Sequence, residues 1–139
     1  ILHTLRFLVG DSVFFPTLRR WLYPSRAAES VTDGRQTRLV STDEFVAHAS
    51  RMARQDLRWF FDLYVRQSAL PRLEMTRVGS EVRFRWRTPH QLPFPMPIEV
   101  EVDGAIRRVP MVRGRGSIRV RPASRISIDP SHWVFRNLD

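Results

Sequence analysis

The chain has 139 residues, enough for one ordinary domain or two small ones and too few for a large multi-domain enzyme. Its formal charge is +9, all 23 basic side chains are arginine, and 42% of residues are apolar, so the chain can bury a core. Cysteine is absent, which excludes disulfides, thiolate metal sites and a cysteine nucleophile, and no apolar run approaches the ~20 residues of a membrane span.

The first half reads as helical. Leu2, Leu5, Leu8 and Val9 recur at helical spacing, and Gly10 stops that helix because glycine enters the left-handed region without steric cost. Asp11 or Ser12 can cap a second helix through Phe14, Leu18, Trp21 and Leu22, which Pro24 ends. Residues 25–40 lack a period and read as a long loop, with a turn signal at Asp33-Gly34. Ser41 followed by Glu44 matches a capping box, opening a helix with Phe45, Val46, Ala49 and Met52. Asp56 caps a last helix with Leu57, Phe60, Phe61 and Tyr64 or Val65 inward, and Leu70-Pro71 closes the helical half.

The second half switches to period two. Val82, Phe84 and Trp86 alternate with arginines, and Ile98, Val100 and Val102 alternate with acids. Ile118 and Val120, Ile126 and Ile128, then Trp133 and Phe135 continue the habit. This is the pattern of antiparallel strands with one buried and one wet face. Gly79-Ser80 and Asp103-Gly104 are hairpin signals. About seven short strands at ten-residue spacing suggest a small β-sandwich, with Pro89 to Pro97 as a connection between sheets. The expected fold is therefore α+β: three to four helices, then an antiparallel β-sandwich, divided into residues 1–70 and 71–139.

Little in the chain carries chemistry of its own. None of His3, His48, His90 and His132 stands four residues from another, so no zinc helix of the His-Glu-x-x-His kind exists. His3 reads as a packing residue and His132 as a surface residue. Glu99 and Glu101 share a strand face, and cross-strand pairing with Arg83, Arg85 or Arg87 explains them better than acid–base catalysis. Both glycines of Arg113-Gly114-Arg115-Gly116 fit a turn before the strand at Ile118. The second half holds thirteen arginines, spaced by strand alternation, and a nucleic-acid surface is disfavoured because no aromatic platform or recognisable motif accompanies them.

The runs Leu2-His3-Thr4-Leu5-Arg6 and Leu8-Val9-Gly10-Asp11-Ser12-Val13-Phe14 resemble a segment of the gluzincin zinc aminopeptidases, peptidase family M-one. Ser41-Thr42-Asp43-Glu44-Phe45 resembles a capped helix of that family. Asp56 to Val65, followed by Leu70-Pro71-Arg72-Leu73, resembles its later helix and the exit into a β-domain. Pro97-Ile98-Glu99-Val100 and Ile128-Asp129-Pro130 are similar to strands of the β-sandwich that many members carry. The resemblance implies a parent hydrolase that removes N-terminal residues from peptides with a zinc-bound water.

In that family the zinc helix, the further glutamate ligand, the substrate-binding strand and the catalytic tyrosine precede the matching segment. No catalytic, cofactor-binding or metal residue is therefore mapped onto this chain, and zinc is expected in the parent alone. The chain opens at Ile1 inside a helical pattern, which reads as a cut end. The expected role is a scaffold for the catalytic cleft and a spacer or docking module, inactive alone. The expected partner is the upstream catalytic domain, with peptide substrate reached only through it. An exposed strip of Leu2, Leu5, Phe7 or Leu8 is expected, open to self-association. The alternatives are a free-standing arginine-rich module binding nucleic acid or an acidic partner, and a regulatory or assembly domain without a catalytic neighbour.

Overall fold

The structure is a computed structural model that describes residues 1–35 and 37–138. Among the described residues five α-helices come first and six strands follow, in two antiparallel three-stranded sheets, with a 3-10 turn at Pro89–Gln91 between the second and third strands, an α+β fold. Two compact units are present: Val9–Arg58, and Ile1–Leu8 together with Trp59–Asp139. The sequence pattern changes near residue 70, whereas the units group the first helix and nearly all of the last helix with the strands.

The helical unit contains α2 (Asp11–Leu22), α3 (Arg26–Glu29) and α4 (Thr42–Ala53). Gly10, at φ 80°, is the N-cap of α2, and its carbonyl accepts from the N–H groups of Val13 and Phe14 at 3.2 and 2.9 Å. Asp11 is thus the first helical residue, and no side chain caps this end, contrary to the expected Asp11 or Ser12 cap. The capping box of α4 is present: Ser41 Oγ accepts from the Glu44 N–H, and the Glu44 carboxylate accepts from the Ser41 N–H at 2.7 Å. Within residues 25–40 the chain forms one helical turn, α3, which four residues are too short to announce by periodicity. Phe14, Thr17, Val46, Ala49 and Leu57 are the buried side chains here. Beside them Trp21 packs edge-on against Phe45 and tilted against His48, with the Arg38 guanidinium 4.4 Å from the Trp21 ring.

The β unit holds α1 (Leu2–Val9, save its last residue), α5 (Arg58–Tyr64, from Trp59) and all six strands. One sheet runs β1-β2-β5, from β1 (Arg72–Val78), β2 (Glu81–Arg87) and β5 (Arg115–Arg119). The other runs β4-β3-β6, from β3 (Ile98–Val102), β4 (Ala105–Val109) and β6 (Ile126–Ile128). Both expected hairpins form. Gly79-Ser80 links β1 to β2, and Asp103-Gly104 links β3 to β4 with φ of 51° and 85°, the paired positive φ of a type I′ turn.

The alternation delivers the core. Val82, Phe84 and Trp86 of β2, and Ile98, Val100 and Val102 of β3, are all at most 6% exposed. Gly116 lies inside β5 rather than in the turn before it. A Cβ there would come 2.6 Å from the Pro110 carbonyl oxygen and 2.7 Å from Met111 Sδ, so only glycine fits. The segment around Trp133 and Phe135 is not a strand. Asp129, 2% exposed, accepts instead from the N–H groups of Trp133 and Val134 at 2.9 and 3.0 Å, which removes them from a ladder.

The helices of this unit are bound into it. Phe60, Phe61, Leu63 and Tyr64 of α5 are buried. Phe94 is the hub, with Trp59, Tyr64 and Trp86 all edge-on to it at 5.1–5.7 Å between ring centroids. Trp86 also donates its indole N–H to the Met96 carbonyl at 2.8 Å. On α1, Leu5 and Phe7 are buried at 2% and 7%. The expected exposed strip is therefore corrected: Leu2 remains open at 49%, whereas Leu5 and Phe7 turn inward. The segment after β6 is held from two sides, because the Phe135 N–H donates to Thr4 Oγ1 at 3.1 Å and its carbonyl accepts from the Tyr64 hydroxyl at 2.7 Å.

Candidate functional site

The four histidines do not converge. His3 stacks on Trp133 with centroids 4.4 Å apart, a packing role. His48 Nε2 lies 2.9 Å from the Thr17 carbonyl oxygen and serves the helical unit. His90, in the 3-10 turn Pro89–Gln91, and His132, in a loop, are exposed at φ 51° and 52°. Among the described residues, no group of three His, Cys, Asp or Glu side chains stands close enough to hold a metal. The residues present thus do not fit a zinc ion, and no metal-dependent step can be derived through them.

Glu99 and Glu101 lie on β3, and their cross-strand neighbours are Arg108 and Ile106 on one side, with Ser127 opposite Glu101 on the other. Arg83, Arg85 and Arg87 lie on β2 in the other sheet, so the expected pairing with them does not occur. Arg83 instead bonds Glu81 at 2.7 Å, and Arg87 bonds Glu74 at 2.8 Å. Arg83 holds the Glu81 carboxyl below its ordinary range by hydrogen bonding and charge. Arg108 reaches across to α1, donating to the Phe7 carbonyl at 3.0 Å with its guanidinium 4.3 Å from the Phe7 ring.

Two surfaces stand out once these residues are placed. The first is the wet face of the β1-β2-β5 sheet. Register sets Glu74, Arg85 and Arg115 in one row across its three strands, and Thr76, Arg83 and Ser117 in the next. A groove of about 550 Å³ runs over these rows. The second is in the helical unit, where Phe15, Leu22 and Tyr23 are 51%, 62% and 38% exposed. Phe15 and Tyr23 flank a hollow bordered by Arg19 and Glu29, which form a two-point ion pair at 2.9 and 2.6 Å. That bond holds the Glu29 carboxyl low.

Alternation alone pointed to the arginine face. The row it forms with β5 depended on pairing β2 with a strand thirty residues away, which no local pattern specifies. No protein-family model matches the chain, and no curated protein is significantly similar to it. No helix among the described residues is long and apolar enough to cross a membrane.

Proposed function

We propose that this chain is a non-catalytic C-terminal segment of a zinc-dependent aminopeptidase of the gluzincin kind, acting as scaffold for the catalytic cleft and as a spacer or docking module. The reading rests on the resemblance of three runs, at Leu2–Phe14, Ser41–Phe45 and Asp56–Leu73. The observation that supports it best is the joint those last residues make. Tyr64 of α5 packs against both Phe60 and Phe94, and eight residues after Tyr64 the chain enters β1 at Arg72. A helix fused by aromatics to the strands that follow it makes the start of the β unit a well-anchored module. The open side chains of Phe15, Leu22 and Tyr23 offer apolar surface for a neighbouring domain. With Leu5 and Phe7 turned inward, Leu2 is the widely open residue of the strip expected on α1. Zinc and the peptide chemistry would belong to the upstream segment of the same polypeptide.

The test is the polypeptide with its natural upstream sequence. We expect that sequence to carry His-Glu-x-x-His with a further glutamate and a tyrosine, and the protein to hydrolyse an aminoacyl p-nitroanilide until a chelator removes zinc. The 139-residue chain with added zinc should be inert. Absence of the zinc helix upstream, or turnover by the chain alone, overturns the reading.

A further inference from the structure

The β1-β2-β5 sheet carries an unbalanced pair of charges. Arg85 and Arg115 are directly opposite each other on β2 and β5. Like charges at that spacing repel, at a cost to stability. The same row holds one acid, Glu74 opposite Arg85 on β1, but its carboxylate bonds Arg87, and Glu81 bonds Arg83, so the row carries two arginines against one acid. Among the described residues neither Arg85 nor Arg115 has an ion-pair partner. Both line the groove over the sheet face, and both also line an adjoining hollow of about 390 Å³ with Arg87, Arg113, Thr88 and Gln91. Arg113 and Gln91 hold left-handed backbone at φ 50° and 57°, a conformation costly for side chains other than glycine. The hollow therefore concentrates positive charge, polar hydrogen-bonding groups and strained backbone.

We propose that this face binds an extended acidic peptide segment, with carboxylates bridging Arg85 and Arg115. Charge complementarity is the first argument, since a carboxylate between two guanidiniums replaces repulsion by charge-assisted, two-point hydrogen bonds. Spacing is the second. Arg83, Arg85 and Arg87 are alternate residues of one strand, so they recur about every 7 Å, as do same-side carboxylates of an extended peptide, which would bridge Arg85 to Arg115 and compete with Glu81 and Glu74 for the exposed outer two. Composition of the face is the third. A single-stranded nucleic acid needs aromatic surfaces to stack its bases. The aromatics bordering the hollow, Trp86 and Phe94, are only 6% and 2% exposed, and both are packed into the core. This inference does not depend on the aminopeptidase reading.

The experiment uses the whole chain and a fluorescein-labelled peptide of about ten residues alternating Glu and Thr, read by anisotropy at about 50 mM salt. A Gln–Thr peptide and a single-stranded DNA of the same length are the comparison probes. We expect the Glu peptide alone to bind well, and its affinity to fall as salt rises. Arg85→Thr with Arg115→Thr should weaken it by about tenfold or more. Arg26→Thr with Arg51→Thr, the same charge change on the helical unit, should weaken it less than about twofold. Should the double variant lose its fold, Arg115→Thr alone, at an exposed strand position, carries the test. No binding of the Glu peptide, equal losses in the two double variants, or tighter binding of the DNA would each overturn the proposal.

Discussion

The two units of this chain are stabilised by different means. Among the described residues the β unit buries eighteen apolar side chains, and the helical unit only Phe14, Val46, Ala49 and Leu57. The helical unit leans instead on local devices: the Ser41–Glu44 box, the Arg19–Glu29 pair, and Asp56 accepting from the Arg58 N–H. Local devices contribute about 1 kcal/mol or less each, whereas a fully buried large side chain contributes several times that. The helical unit should therefore open more readily, and its exposed Phe15 and Leu22 mark where an additional surface would raise its stability.

The largest blow to this contrast is Phe60→Ala. Phe60 is 0% exposed and meets Trp59, Phe61 and Tyr64 ring to ring. The cavity should destabilise the β unit by about 3–5 kcal/mol, read by denaturant unfolding. A loss below about 1 kcal/mol would mean that this joint is not part of the core. Gly116→Ala comes next. Its methyl would sit 2.6 Å from a backbone carbonyl oxygen, which cannot swing aside as a side-chain tip can. A destabilisation of about 1–3 kcal/mol is expected, and an unchanged melting temperature would show that the segment at Pro110 moves freely.

For the helical unit the corresponding test is Ser41→Ala. Removing the cap should cost about 1 kcal/mol. Hydrogen exchange should locate the loss in α4, with β2 and β3 unchanged; a uniform loss of protection would show that the units open together. Acid should act on the same helix. Ser41 hydrogen bonds, from backbone first and hydroxyl second, hold the Glu44 carboxyl below its ordinary range. Its contribution is present above the unfolded carboxyl pKa and is lost as pH falls through the lower folded value. The protection of α4 should fall with it, and Ser41→Ala, which keeps the backbone N–H on that carboxylate and removes only the hydroxyl bond to it, should weaken that dependence in part.

What the sequence made legible follows the same division. Short-range devices announce themselves: the Ser41–Glu44 spacing, the Asp103-Gly104 turn and the alternation of β2 and β3 each need only neighbouring residues. Partners do not. The amphipathic pattern of α1 marks an apolar face but no surface to cover it, so it predicts Leu5 in an exposed strip, whereas Leu5 is buried. Glu99 and Arg83 looked like complementary strand faces, yet sheet membership separates them. Asp129 accepting backbone N–H groups ended the alternation at Trp133, because a buried carboxylate competes with strand pairing in a way composition cannot register. The arginine face was visible as alternation, but the Arg85–Arg115 juxtaposition arises only from β5 pairing with β2.

The smallest expected effect has the opposite sign. If the β unit owes its stability to burial, its wet face can tolerate charges that oppose folding. Arg115→Thr, on the edge strand β5, removes the member of the like-charged pair that has no acid opposite it, since Arg85 faces Glu74 on its other side, and supplies a residue that suits strands. The chain should gain about 0.2–1 kcal/mol, read as a higher denaturant midpoint, and the gain should shrink as salt screens the pair. A loss of stability instead would mean that Arg115 is engaged by the fold itself. The surplus charge would then be structural, and the groove would no longer stand apart from the core beneath it.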